Sequence, residues 1–203
     1  MEELLESPAD LVIEAAGQDA VREHVTGLLK AGKHVLSMTV GAYLDSSLFE
    51  TVERTCRREG TGKLFLPSGA LPAVDMLQAA ALRHLDSVEL ITRKPYEALK
   101  GAGGIPENED VSPENTKAVT VFEGSARDAV QRFPKNVNIS ATLSLAGIGA
   151  EKTKVTIVAD PAVKRNIHKI LVKGDFGEFS AEVASNPSPN PKTSLTAPLS
   201  AVA

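Results

Sequence analysis

The sequence predicts an α/β fold in two parts: a parallel sheet with helical crossovers, then an α+β part with an antiparallel face. Three observations carry this. Short apolar runs alternate with amphipathic stretches over the first third of the chain. The last third holds strand-like runs on either side of a Gly-Asp pair. The balance of 42% hydrophobic and 24% charged residues in 203 is that of an ordinary globular chain of one or two domains.

Asp10-Leu11-Val12-Ile13-Glu14-Ala15-Ala16 is an apolar run ending in small residues, and reads as a buried parallel strand. A helix follows, with Val21, Val25, Leu28 and Leu29 on one face and Gly32 closing it. His34 to Thr39 is a second strand running into Gly41. Ser46 or Ser47 is expected to cap the next helix, whose core stripe is Phe49, Val52 and Cys56. Lys63 to Leu66 is a third strand, and the order βαβαβ implies right-handed crossovers.

Further along, Pro72 starts a helix with Val74, Leu77, Ala81 and Leu85 inward, and Val88 to Arg93 is a strand. Residues 101–117, rich in Gly, Pro, Glu and Asn, read as a mobile surface loop. Val119 to Phe122 is a strand, Ala126 to Phe133 a short helix, and Asn138 to Leu145 a helix of small residues. Val155 to Val158 is a strand, and residues 164–172 and 176–184 flank Gly174-Asp175, a tight-hairpin pair. The prolines of Ser185 to Pro191 predict an extended tail before a terminal helix.

Several function classes are excluded or disfavoured. A net charge of −4, 4% aromatics and no tryptophan argue against nucleic-acid binding. One cysteine allows neither an internal disulfide nor a cysteine-rich metal site, and Cys56 reads as a small buried hydrophobe. No apolar run approaches the roughly 20 residues that span a bilayer, and the acidic start is unlike a signal peptide. The expectation is a cytoplasmic protein with no metal, no membrane and no nucleic-acid partner.

Parallel sheets bind ligands beyond the carboxyl ends of their strands. Those ends carry Ala15-Ala16-Gly17, Val40-Gly41-Ala42 and Ser68-Gly69-Ala70. Small residues there either admit a flat ligand or simply permit tight turns.

Nine blocks, in order from about residue 10 to the end, resemble the L-aspartate dehydrogenase family of NAD(P)-dependent oxidoreductases. They are Val12-Ile13-Glu14-Ala15-Ala16, Val40-Gly41-Ala42, Pro67-Ser68-Gly69-Ala70, Thr92-Arg93-Lys94-Pro95, Phe122-Glu123-Gly124-Ser125-Ala126, Phe133 to Asn138, Ala141 to Gly147, Arg165-Asn166-Ile167-His168 and Asn190 to Ser194. The resemblance implies an incomplete Rossmann-type parallel sheet followed by a mixed α+β catalytic and dimerisation domain. Its parts would be residues 1–67, 68–190, and 191–203 packing back on the Rossmann part. It implies NAD or NADP as cofactor, L-aspartate and iminoaspartate as substrate and product, and a homodimer.

The same resemblance assigns His168 as the catalytic histidine, although on a strand it shares a face with Ile170 and Val172 as a core histidine would. It places Ala70 and Asn138 on the nicotinamide side, Asn138 also suiting a helix N-cap, while Ala15, Ala16 and Gly41 are cofactor candidates by their place at the strand ends. Ser68, Gly69, Arg165 and Lys192 become substrate candidates, with Lys94 and Lys135 as further cations. His24, His34 and His84 read as solvated or capping.

One departure stands out. No glycine-rich strand-to-helix turn of the kind that cradles a pyrophosphate is visible. The expectation is a member shortened at its amino end, which by itself binds NAD weakly. Two alternatives stay open: a related reductase of the dihydrodipicolinate type, and an inactive dimerising module.

Overall fold

The computed structural model describes residues 2–99, 105, 116–133, 138–189 and 193–203. These form two compact units, residues 1–67 and 68–203.

The first unit opens with helix α1 (Glu2–Glu6) and a three-stranded parallel sheet of order β1 (Leu11–Glu14), β2 (His34–Ser37), β3 (Leu64–Phe65). Between β1 and β2 runs a helical stretch: α2 (Gln18–Ala20), a π-turn at Val21–Val25, and α3 (Thr26–Lys30). Val21, Val25, Leu28 and Leu29 are buried along it, as their spacing predicts. Each such side chain contributes about 1.5–3 kcal/mol by leaving water. After β2 come a 3₁₀ turn, Val40–Leu44, and α4 (Ser46–Cys56). Gly62 is fixed by close approach: a Cβ there would sit 1.8 Å from the Lys33 carbonyl oxygen.

The second unit holds α5 (Val74–Ala80), β4 (Leu85–Lys94), α6 (Tyr96–Leu99), β5 (Val119–Ser125), α7 (Ala126–Arg132), α8 (Asn138–Ala146), β6 (Lys154–Ala159), β7 (Asn166–Gly174), β8 (Gly177–Ser185) and α9 (Thr196–Leu199). Its five strands lie in the order β5-β6-β4-β7-β8. β4 is central, parallel to β6 and antiparallel to β7. Val88, Leu90, Val155, Ile157, Ile170 and Val172 are buried on one face. The helices pack there, since a Cβ at Gly147, just past α8, would touch both Leu77 of α5 and Val88 of β4. Ser180, Glu182 and Ala184 on the opposite face of β8 are exposed, which gives the one-sided wet sheet that their alternation predicts.

Several details differ from the sequence expectation. β1 is parallel but is the edge strand of its sheet and only Glu14 on it is buried, with Leu11 45% and Ile13 62% exposed. The cap of α4 is Asp45, whose carboxylate accepts from the amides of Ser47 and Leu48; a carboxylate reaches both donors where Ser46 and Ser47 are already helical. Val52 and Thr55 are the buried residues of α4, while Phe49 and Cys56 are only half-buried. α5 stops at Ala80, and Leu85 opens β4 instead of ending the helix. The hairpin turn is Asp175-Phe176, with Gly174 paired to Gly177. Gly174 is required by packing, since a Cβ would lie 2.3 Å from the His84 carbonyl oxygen. In the tail, Pro187 forms an antiparallel bridge with Ser194, and the terminal helix α9 follows. Most of the predicted 101–117 loop, together with Lys135 and Lys192, lies outside the described residues.

Candidate active site

The carboxyl end of β4 and the start of β7 build a buried polar cluster. Thr92 stands directly opposite His168 in the antiparallel register, so both side chains project from one face. One step along, Lys94 and Asn166 follow on that face, with the alternation that places Val88 and Leu90 in the core. His168 is 3% and Lys94 4% exposed. The Nδ1 of His168 lies 3.2 Å from the Thr92 hydroxyl. The Asn166 amide donates to the Ser194 hydroxyl at 3.3 Å, which ties the carboxyl-terminal segment to the cluster. Ser185, opposite Asn166, meets Thr196 at 3.1 Å.

Electrostatics fix the protonation of this face. Burial, and then the nearby Lys94 charge, push the His168 imidazole down to about 3, so it is neutral at ordinary pH. An unperturbed histidine titrates near 6.5, close to working pH, and this one does not. Burial likewise pulls the Lys94 ammonium down to about 8. On the neighbouring strands Arg93, which points to the other face, donates through Nε and Nη2 to Asp160, the Nε bond at 2.8 Å. The Asp160 amide in turn donates to the Lys94 carbonyl at 2.8 Å, pinning the ends of β4 and β6 together.

The other candidates distribute as follows. Ser68-Gly69-Ala70 lies against the start of α8, where a Cβ on Gly69 would approach Ile139 at 3.9 Å. Ala70 is buried, Ser68 and Gly69 half-buried, and the Gly69 amide donates to the Ser200 hydroxyl at 3.0 Å. Asn138 is the first residue of α8 and half-buried, its carbonyl accepting from Thr142. Arg165 is exposed, just before β7, and its side chain is not part of the buried cluster.

In the first unit, Ala15 and Ala16 are exposed beyond β1, and Gly41 is buried inside the Val40–Leu44 turn. The turn after β1 is held by Glu14, which sequence reading overlooked. One carboxylate oxygen accepts from the amides of Ala16 and Gly17 and from the Thr39 hydroxyl; the other accepts from Ser37 and the Thr39 amide. Burial alone would raise its pKa, but these hydrogen bonds outweigh it and hold the carboxyl below its usual 4.5. Two exposed alanines on a braced turn suit the flat face of a dinucleotide ring better than its phosphates, which need amide donors. Thr92, Asn166 and Glu14 carried one legible signal, a polar residue at an alternation position otherwise reserved for the core.

A family model described as "Aspartate dehydrogenase, C-terminal" matches residues 75–203, and one described as "Homoserine dehydrogenase, NAD binding domain" matches residues 1–66. An L-aspartate dehydrogenase of Methanosarcina acetivorans is 47% identical across all of this chain and 74% of its own length. One from Bradyrhizobium diazoefficiens is 40% identical over 96% of this chain and 68% of its own. The crystal structure of aspartate dehydrogenase from Thermotoga maritima superimposes with a TM-score of 0.74 at 28% identity, covering 94% of this chain and 73% of that one. The two units thus have the make-up of a dinucleotide-dependent oxidoreductase, a Rossmann-like NAD-binding part and a mixed-sheet part. The chain belongs to the aspartate dehydrogenase family.

Proposed function

We propose that the chain oxidises L-aspartate to iminoaspartate with NAD or NADP, the imine then being hydrolysed to oxaloacetate and ammonia or used for NAD biosynthesis. The observation that carries this is the neutral, buried His168 held opposite Thr92, with Lys94 on the same face. When bound, the nicotinamide supplies the acceptor for the hydride leaving the aspartate α-carbon. His168 Nε2 takes the proton from the amine. A substrate with two carboxylates is attracted to the buried Lys94 ammonium. Those negative charges oppose the two causes that depress the imidazole, so the base gains strength only once substrate is seated.

Within the second unit Ala70, Ser68, Gly69 and Asn138 are the candidates for the nicotinamide and substrate; within the first, Ala15, Ala16 and Gly41 are candidates for cofactor contact. Arg165 and Lys192 belong to the substrate approach. In this reading residues 1–67 carry the cofactor and 68–190 the chemistry. The exposed edge strand β8 supports a homodimer through the second unit's sheet. The test is reduction of NAD or NADP by L-aspartate, followed by nicotinamide absorbance. His168→Ala is expected to lower turnover about 10²–10⁴-fold, the span for losing a general base. Unchanged turnover per folded molecule would remove His168 from the reaction.

A further inference from the structure

A neutral imidazole has one nitrogen that donates and one that accepts, and a base must present the accepting one to its substrate. The choice between them is made by whatever meets the other nitrogen. In this protein that partner is a threonine hydroxyl on the adjacent strand, 3.2 Å from Nδ1. The pair sits at matched register positions of two hydrogen-bonded strands in the middle of the sheet. Threonine is β-branched and stiff at χ1, so strand and side chain together leave its oxygen little freedom. Both residues are buried, which keeps bulk water from taking the hydroxyl's place.

We infer that Thr92 is a positioning residue for His168: its hydroxyl oxygen accepts the Nδ1 proton, so the imidazole holds a single tautomer and turns the Nε2 lone pair toward the substrate amine. This rests on the reading of His168 as the base. The reverse arrangement, with the hydroxyl donating to Nδ1, would leave the proton on Nε2 and make that nitrogen useless as an acceptor.

The test reads the tautomer directly. With ¹⁵N-labelled histidine, nitrogen chemical shifts distinguish the two neutral forms, and a His168→Gln sample assigns the signal among the four histidines. Wild type is expected to carry the proton on Nδ1 throughout the neutral range. Thr92→Val, which keeps the shape but removes the oxygen, should shift the population toward the Nε2 form. It should lower kcat about 10–100-fold, part of the usual general-base contribution, with little change in KM for aspartate. Thr92→Ser should restore both tautomer and kcat. A wild-type signal with the proton on Nε2 overturns the inference, and needs no variant to fold. So does a Thr92→Val protein with unchanged tautomer and unchanged kcat, while a His168→Ala protein still inactive would leave the base reading standing. Normal turnover in His168→Ala would remove the base reading itself, whatever the tautomer.

Discussion

Replacing Lys94 with methionine is expected to stabilise the protein at neutral pH while damaging its catalysis. An ammonium in water titrates near 10.5, and burial alone pulls Lys94 down to about 8. At about 1.4 kcal/mol per pH unit, holding that charge in the fold costs about 3 kcal/mol at pH 7. Methionine fills a similar volume and carries no charge to desolvate. The expected gain of about 2–3 kcal/mol corresponds to a melting temperature higher by about 5–10 °C for a chain of this size. The unfolded chain binds the lysine proton more tightly than the folded one. Wild-type stability should therefore rise as pH climbs from about 8 to 10.5, whereas below 8 the cost is present in full. Thermal unfolding followed by circular dichroism, for both proteins from pH 7 to 10.5, should show a gap that narrows with rising pH; other titrating groups are common to both and cancel. A variant that melts at or below wild type at pH 7 would refute the reasoning. So would a gap that stays constant across the series. If Lys94 attracts the substrate carboxylates as proposed, the gain in stability should come with a raised KM for aspartate.

Two other outcomes follow from the structure. Glu14→Gln turns one acceptor oxygen into a donor facing groups that already donate, and should cost about 2–3 kcal/mol at pH 7 by chemical denaturation. Because the folded carboxyl sits below its usual 4.5, its contribution is whole above that value and is lost as pH falls through the lower folded value; a penalty of equal size at pH 7 and pH 3 would contradict it. Sedimentation at micromolar concentration should show a dimer through the second unit, and a monomer there would remove that proposal.

Much of this was legible in the sequence where one physical rule acted alone. The 3.6-residue spacing of Val21, Val25, Leu28 and Leu29 located a helix, and the pair around Gly174 located a hairpin. Burial of β1 was misjudged because an apolar run says nothing of whether a neighbouring layer covers both faces. Asp45 was passed over as a cap because two serines followed it, and a carboxylate outcompetes a hydroxyl for two amides. His168 was found through family resemblance, but its low pKa could not be, since that depends first on how deeply the sheet buries it and then on Lys94 arriving from a strand more than seventy residues earlier. The burial of Thr92 and Lys94 was hidden for the same reason: on paper β4 is a strand with partial alternation, and only pairing with β7 reveals that its polar end is buried.

The strand order of the second unit has a consequence for how the protein comes to exist. β4 is the first of the five strands to be made, yet it lies in the middle, between β6 and β7. The β7–β8 hairpin is local and can close within about 1–10 μs. β4 must close far longer loops to reach its partners, and such non-local pairings are the slow part of assembly. Thr92 and His168 are 76 residues apart and meet only when β4 docks onto β7. On the ribosome, therefore, the polar cluster cannot form until β7 has emerged. A nascent chain paused before β6 has emerged exposes two unpaired edges on β4, and one paused between β6 and β7 still exposes the edge that β7 will cover; that interval is when it most needs a chaperone.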